Sequence, residues 1–242
     1  MTPLLRRSVV ALALVAMPLA GFAQVPAMPG AAGHWEGSAD VNGTPLPLEF
    51  DIAKDAAGAY TATFGQPAQG VRGLPLSDVK ADGRKISFML KAGPATSTFN
   101  ATISEDGKTM TGTVEQGGRS LPFTATRTGD AKIAGPPKST AVAKEFEGTW
   151  NGVIEFNGQQ MHLAVKIASA ADGTATGSIQ NLDIAGPELP IGITQKEKTI
   201  SFDVPAIGGS YSGTINADGT EIAGNWSQAG ASLPLVWKRP AK

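Results

Sequence analysis

The sequence predicts an all-β protein: two tandem small antiparallel up-and-down β-barrels of about eight strands each. Three observations predict it. The chain after its first residues is written twice. Each copy alternates apolar and polar residues with period two. Turn dipeptides separate the alternating runs.

The repeat is read from matched landmarks. Gly33-His34-Trp35-Glu36-Gly37 returns as Gly148-Thr149-Trp150-Asn151-Gly152, Asn42-Gly43 as Asn157-Gly158, and Leu74-Pro75 as Leu189-Pro190. Later in each copy, Asp106-Gly107 returns as Asp218-Gly219, Gly112 as Gly224, Gln116 as Gln228 and Leu121-Pro122 as Leu233-Pro234. Self-similarity over this length in one register implies two like domains in tandem.

Each element then follows from its pattern. In copy 2, Trp150, Gly152, Ile154 and Phe156 alternate with Thr149, Asn151, Val153 and Glu155; Met161, Leu163, Val165 and Ile167 continue the series. Ile200, Phe202 and Val204, then Tyr211, Gly213 and Ile215, then Ile222, Gly224 and Trp226, then Leu233, Leu235 and Trp237 give four further strands. Copy 1 shows the same with Leu46, Leu48, Phe50 and Ile52. This is the signature of a strand with one face buried. Asn-Gly pairs mark two-residue hairpins because both turn positions need φ > 0. Sequential hairpins suit a barrel, whose closure removes exposed sheet edges; an open sandwich of the same strands is the rival arrangement. An eight-stranded barrel is either filled by side chains or holds one small ligand.

The flanking segments are read from composition. Residues 1–23 carry Arg6-Arg7, an apolar run from Val9 to Leu19 and Gly21-Phe22-Ala23, the pattern of a secretory signal cleaved after Ala23. The run is too short to span a bilayer, which takes ~20 residues. Residues 24–31 form a Pro/Ala/Gly lead-in, copy 1 covers 32–129, copy 2 covers 145–242, and the Pro- and Ala-rich stretch 130–144 reads as an extended linker. The expected location is the periplasm of a Gram-negative bacterium, or outside the cell. The formal net charge is −1, and loss of Arg6 and Arg7 makes it more negative, so nucleic acid is not an expected partner. There is no cysteine, which excludes disulfides, thiol catalysis and Cys-based metal sites.

The stretch from Phe202 to Gln228, with Gly224-Asn225-Trp226-Ser227-Gln228, resembles the N-terminal β module that precedes the α/β-hydrolase domain of bacterial exported serine hydrolases. Copy 1 carries another part of that pattern, Gln69-Gly70-Val71-Arg72-Gly73-Leu74-Pro75. The opening Gly-x-Trp-x-Gly is also similar to the start of lipocalin-like barrels, so the resemblance implies a lipocalin-like or avidin-like barrel in an exported protein. The hydrolase domain is absent, and no catalytic residue carries over.

Chemistry-bearing residues are sparse. Gly209-Ser210-Tyr211-Ser212-Gly213 has Tyr where a nucleophile elbow needs Ser, and it lies in a strand pattern. The two histidines, His34 and His162, fall in different copies and read as surface residues. The Asp-Gly pairs lack calcium-loop spacing. No cofactor and no metal are expected.

The residues with inward parity are the candidates for a binding site. These are Trp150, Tyr211, Trp226, Gln228 and Trp237 in copy 2, and Trp35, Phe50 and Gln116 in copy 1. Rings would line an apolar lumen, and a glutamine would hold the polar end of a ligand; the alternative for each is ordinary core or rim. The copies differ inside: Trp226 and Trp237 stand where copy 1 has Val114 and Ala125. Three functions are weighed. The first is an exported, non-catalytic protein holding a small, largely apolar ligand in a lumen. The second is a docking module with filled barrels, working through its outer surface on a hydrolase or another envelope component. The third is an enzyme, which no constellation of residues supports.

Overall fold

The computed structural model describes residues 30–91, 95–156, 158–184 and 186–240. The expected signal segment, its expected cleavage point and most of the lead-in lie outside them.

Two nine-stranded antiparallel sheets follow one another along the chain. The first comprises β1 (Gly33–Val41), β2 (Thr44–Lys54), β3 (Tyr60–Gln66), β4 (Val71–Pro75), β5 (Ser77–Asp82), β6 (Lys85–Leu90), β7 (Ser97–Ile103), β8 (Thr109–Gln116) and β9 (Arg119–Gly129). The second comprises β10 (Gly148–Phe156), β11 (Gln159–Ser169), β12 (Ala175–Asn181), β13 (Leu189–Pro190), β14 (Gly192–Lys196), β15 (Thr199–Val204), β16 (Gly209–Ile215), β17 (Glu221–Gln228) and β18 (Ala231–Lys238). In each sheet the first strand pairs antiparallel with the last. Each sheet therefore curls round into a nearly closed up-and-down barrel.

The ninth strand has a simple cause. β4 and β5 are separated by Leu76 alone; β4 pairs with β3, and β5 pairs with β6. They are the two halves of one bent stave that spans the closing gap, and Leu76 N–H bonds Ala62 O across it at 2.9 Å. Pro75 lies at the bend and cannot donate to a ladder. β13 and β14 repeat the device around Ile191, whose N–H bonds Gly177 O at 3.0 Å. Nine segments thus make eight staves.

Alternation settles the cores. Trp35 pairs with Phe50 and Trp150 with Val165, in matching registers. Each barrel encloses its own cluster of buried apolar side chains. Asn42 and Gly43 both have positive φ (55° and 83°) at the first hairpin tip. Gly37 marks where β1 and β9 close on each other: a Cβ there would lie 2.0 Å from Thr124 O.

The segment between the barrels is held at both ends. Lys132 N–H donates to Asp51 Oδ1 of barrel 1 at 2.6 Å. Further on, Thr140 bridges β12 and β14: its N–H bonds Ile193 O at 2.8 Å, and its C=O accepts from Ala175 N–H at 3.1 Å. Ser139 Oγ accepts from Ile193 N–H, and Gln195 Oε1 accepts from Ala143 N–H. Residues 139–143 thus help to close barrel 2. The barrels also touch. Ala206, in the 3-10 turn Pro205–Ile207, is buried within the barrel 1 cluster, and Leu189 and Ile207 pack against both clusters.

Thr140→Pro removes the bridging N–H and should cost barrel 2 about 1 kcal/mol or somewhat more. Denaturant melts followed by tryptophan fluorescence check this, since three of the four indoles lie in copy 2; an unchanged midpoint would show that the bridge contributes nothing.

Candidate functional site

The expected site residues separate into a plug, a ring cluster and a rim. Trp35 and Trp150 form the plugs. Both are fully buried. Their indole N–H groups donate to Ala31 O at 3.0 Å and Phe146 O at 2.8 Å, four residues back in each case. An arginine from the end of the repeat covers each ring: the Arg127 guanidinium lies 4.6 Å from the Trp35 ring and that of Arg239 lies 4.2 Å from Trp150. Arg239 also donates to Glu145 O and Glu147 O, and Arg127 donates to Gly30 O. A cation over an indole face contributes about 0.5–2 kcal/mol. These arginines are absent from the sequence candidates, although both stand at the repeat offset beyond Ala125 and Trp237.

The ring clusters occupy the middle of each barrel. Phe50 contacts Phe64, Phe88, Phe99 and Phe123 with centroids 5.1–5.8 Å apart. In barrel 2, Tyr211 stacks on Phe202 at 5.0 Å and meets Trp237 edge-on at 5.9 Å. Trp226 pairs across strands with Tyr211 and is 6% exposed. The Tyr211 hydroxyl is spent internally, donating to Ile222 O at 3.0 Å with Leu235 O at 3.2 Å. Burial pushes this hydroxyl well above the usual tyrosine range. Trp237 Nε1 is buried and faces no acceptor, a cost its ring packing offsets. Phe64, Phe88, Phe99, Phe123 and Phe202 complete the clusters; none was a candidate site residue, although Phe202 lies in one of the alternating runs of the sequence. Phe88 and Phe99 are direct cross-strand partners, so inward parity was the signal that could have found them.

The glutamines lie at the rim. Gln228 is half-buried; its amide donates to Ile207 O at 2.9 Å, and its oxygen accepts from Trp226 Nε1–H at 3.3 Å. It holds the 3-10 turn beside the barrel mouth. Gln116 is exposed at the β8–β9 hairpin and lines a small surface concavity there.

The barrels do not close alike. β1 and β9 pair from His34 to Ala39, whereas among the described residues β10 and β18 pair only at Asn151–Lys238 and Gly152–Trp237. Trp237 stands where copy 1 has Ala125, and its ring would lie 2.8 Å from a Cβ at Gly152. Val153 and Val236, just past the last pair, are 45% and 37% exposed.

His34 corrects the surface reading, since it is only 4% exposed. Its Nδ1 lies 2.8 Å from Asp51 Oδ1 and its Nε2 lies 3.1 Å from Glu36 Oε1. The parity of His34 is outward, but Lys132 crosses above Asp51 and helps to cover it. Both ring nitrogens face carboxylates. His162 is exposed and bonds Asp183. Among the described residues no cluster of three or more His, Asp or Glu side chains could hold a metal ion, and no helix is long and apolar enough to cross a membrane.

No protein-family model matches the chain, and no curated protein matches it. Among solved structures, a protein from Bacteroides fragilis described as a putative outer membrane protein aligns at 14% identity and TM-score 0.30, over 86% of this chain and 97% of that one. A protein of unknown function from the DUF3598 family of Nostoc punctiforme aligns at 14% identity and TM-score 0.26, over 87% of this chain and 96% of that one. At such scores the likenesses carry no functional argument.

The Tyr211 environment has a pH consequence. Its folded-state proton is held more tightly than in the unfolded chain. Above about pH 10 the unfolded state binds fewer protons than the folded one, so stability falls as pH rises. In a Tyr60→Phe variant, phenolate absorbance should appear only together with loss of the fold. Ionisation of Tyr211 in the intact barrel would contradict the buried placement.

Proposed function

We propose that the protein is a non-catalytic exported module whose barrels are filled by their own side chains and whose work is done on the outer surface, docking to a component of the cell envelope. One observation carries this reading: the inward rings pack against one another. Phe50 meets four phenylalanines, and Tyr211, Phe202 and Trp237 form a mutual cluster. Two of the polar groups that a lumen ligand would use are taken up, the Tyr211 hydroxyl by backbone carbonyls and Gln228 by Ile207 O. Two surface concavities, at 80–113 and 115–120, lie outside the ring clusters. Export follows from the expected signal segment, and the resemblance to modules of exported hydrolases fits the same compartment.

The lumen-binding alternative makes the opposite prediction at Trp226. In a filled barrel, Trp226→Ala opens a cavity and should cost about 3–5 kcal/mol of stability. Titration of wild-type protein with envelope lipid extract should leave tryptophan fluorescence unchanged. A mild stability loss combined with a saturable fluorescence response would reverse the assignment in favour of a small apolar ligand.

A further inference from the structure

The outer face of β5–β8 in barrel 1 is concave. The concavity, about 430 Å³, is floored by Ala81, Ile86, Ala101 and Gly112. A Cβ on Gly112 would lie 2.1 Å from Asn100 O, so β7 and β8 approach there more closely than any other residue would permit, and the sheet bends.

Register places two polar rows across this face. Lys80 pairs with Ser87, Ser87 with Asn100, and Asn100 with Thr113. The second row runs from Asp82 to Lys85, Thr102 and Thr111. All eight line the concavity. Neighbouring members of a row are spaced by the inter-strand distance, about 4.8 Å. Barrel 2 keeps the geometry and spends the chemistry differently. Its rows are Thr194, Ser201, Ser212, Asn225 and Lys196, Thr199, Thr214, Ala223. There Ser201 bonds Ser212 at 2.9 Å and Thr199 lies 3.2 Å from Thr214. Among the described residues of barrel 1, no such bond joins Ser87 to Asn100 or Lys85 to Thr102. At the matching register barrel 2 has threonine for both lysines of barrel 1 and Lys196 for Asp82.

We infer that this face of barrel 1 is a binding site for an acidic oligosaccharide. Hydroxyls and an amide, each both donor and acceptor, match the hydroxyls of a sugar chain, which are donors and acceptors in turn. Two ammonium groups against one carboxylate select a chain that carries carboxylates. The face presents no aromatic ring, which argues against stacked bases. The site rests on the surface-docking reading and names one class of envelope partner for it.

The test is an amide NMR titration of the mature full-length chain with trigalacturonate, using cellotriose as the neutral control. Trigalacturonate should shift amides of β5–β8 around Lys80, Asn100 and Thr113, and the effect should weaken with salt. Lys80→Gln/Lys85→Gln should weaken binding about tenfold or more, the loss expected when charge-assisted bonds are removed. No shifts at any probe concentration, an equal response to cellotriose, or undiminished affinity in the double variant would each overturn the site while leaving the filled-lumen reading intact. Shifts of the Trp226 and Trp237 indole N–H signals would overturn both.

Discussion

Each repeat closes where an indole from its first strand meets a guanidinium from the end of its last strand, Arg127, or just past it, Arg239. Trp35 and Arg127, and Trp150 and Arg239, join the two ends of their repeats and bind a carbonyl of the segment that enters the barrel. Closing a curled sheet requires its first and last strands to stay side by side. One buried tryptophan, satisfied at its N–H and covered by a cation, supplies that constraint without a disulfide. The inward alternation of every other strand then has one interior to fill.

How that interior is filled distinguishes the copies. Barrel 1 uses four phenylalanines around Phe50, with small Ala125 and Gly37 letting β1 and β9 pair over six positions. Barrel 2 places Trp237 at the position of Ala125, gains a large ring inside, and loses most of the β10–β18 ladder. Its bridging segment, centred on Thr140, supplies backbone bonds on the far side of the barrel, between β12 and β14. The outer surfaces diverge in parallel. Barrel 2 ties its serines and threonines to one another, while barrel 1 leaves its polar rows facing solvent.

Much of this was legible in the sequence. The period-two runs and the Asn-Gly turn at 42–43 located strands and hairpins, and inward parity correctly put Trp35, Phe50, Trp150, Tyr211, Trp226 and Trp237 in the interior. Parity fails where chain segments cross the outside of the sheet. His34 has outward parity yet is buried, because the segment at Lys132 bonds the Asp51 it faces. Gln116 has inward parity yet is exposed, because its strand runs past the end of the barrel into the hairpin. The ninth segment of each sheet was missed for a related reason: the repeated Leu-Pro marks the bend before Leu76 and Ile191, but that the two halves pair with different neighbours shows only in hydrogen-bond partners. The arginine covers needed the repeat offset and a knowledge of which strand ends meet, and only the second is structural. The polar rows of β5–β8 arise from register between strands, which alternation along one strand does not reveal.

The central claim is that both barrels are filled, leaving function to the outside. Crystals of the mature chain pressurised with xenon test it directly, because xenon enters dry apolar cavities. The account predicts no xenon site among Phe50, Phe99 and Phe123, nor among Tyr211, Trp226 and Trp237. A well-occupied xenon atom inside either ring cluster would contradict it and return the lumen to consideration as a binding site.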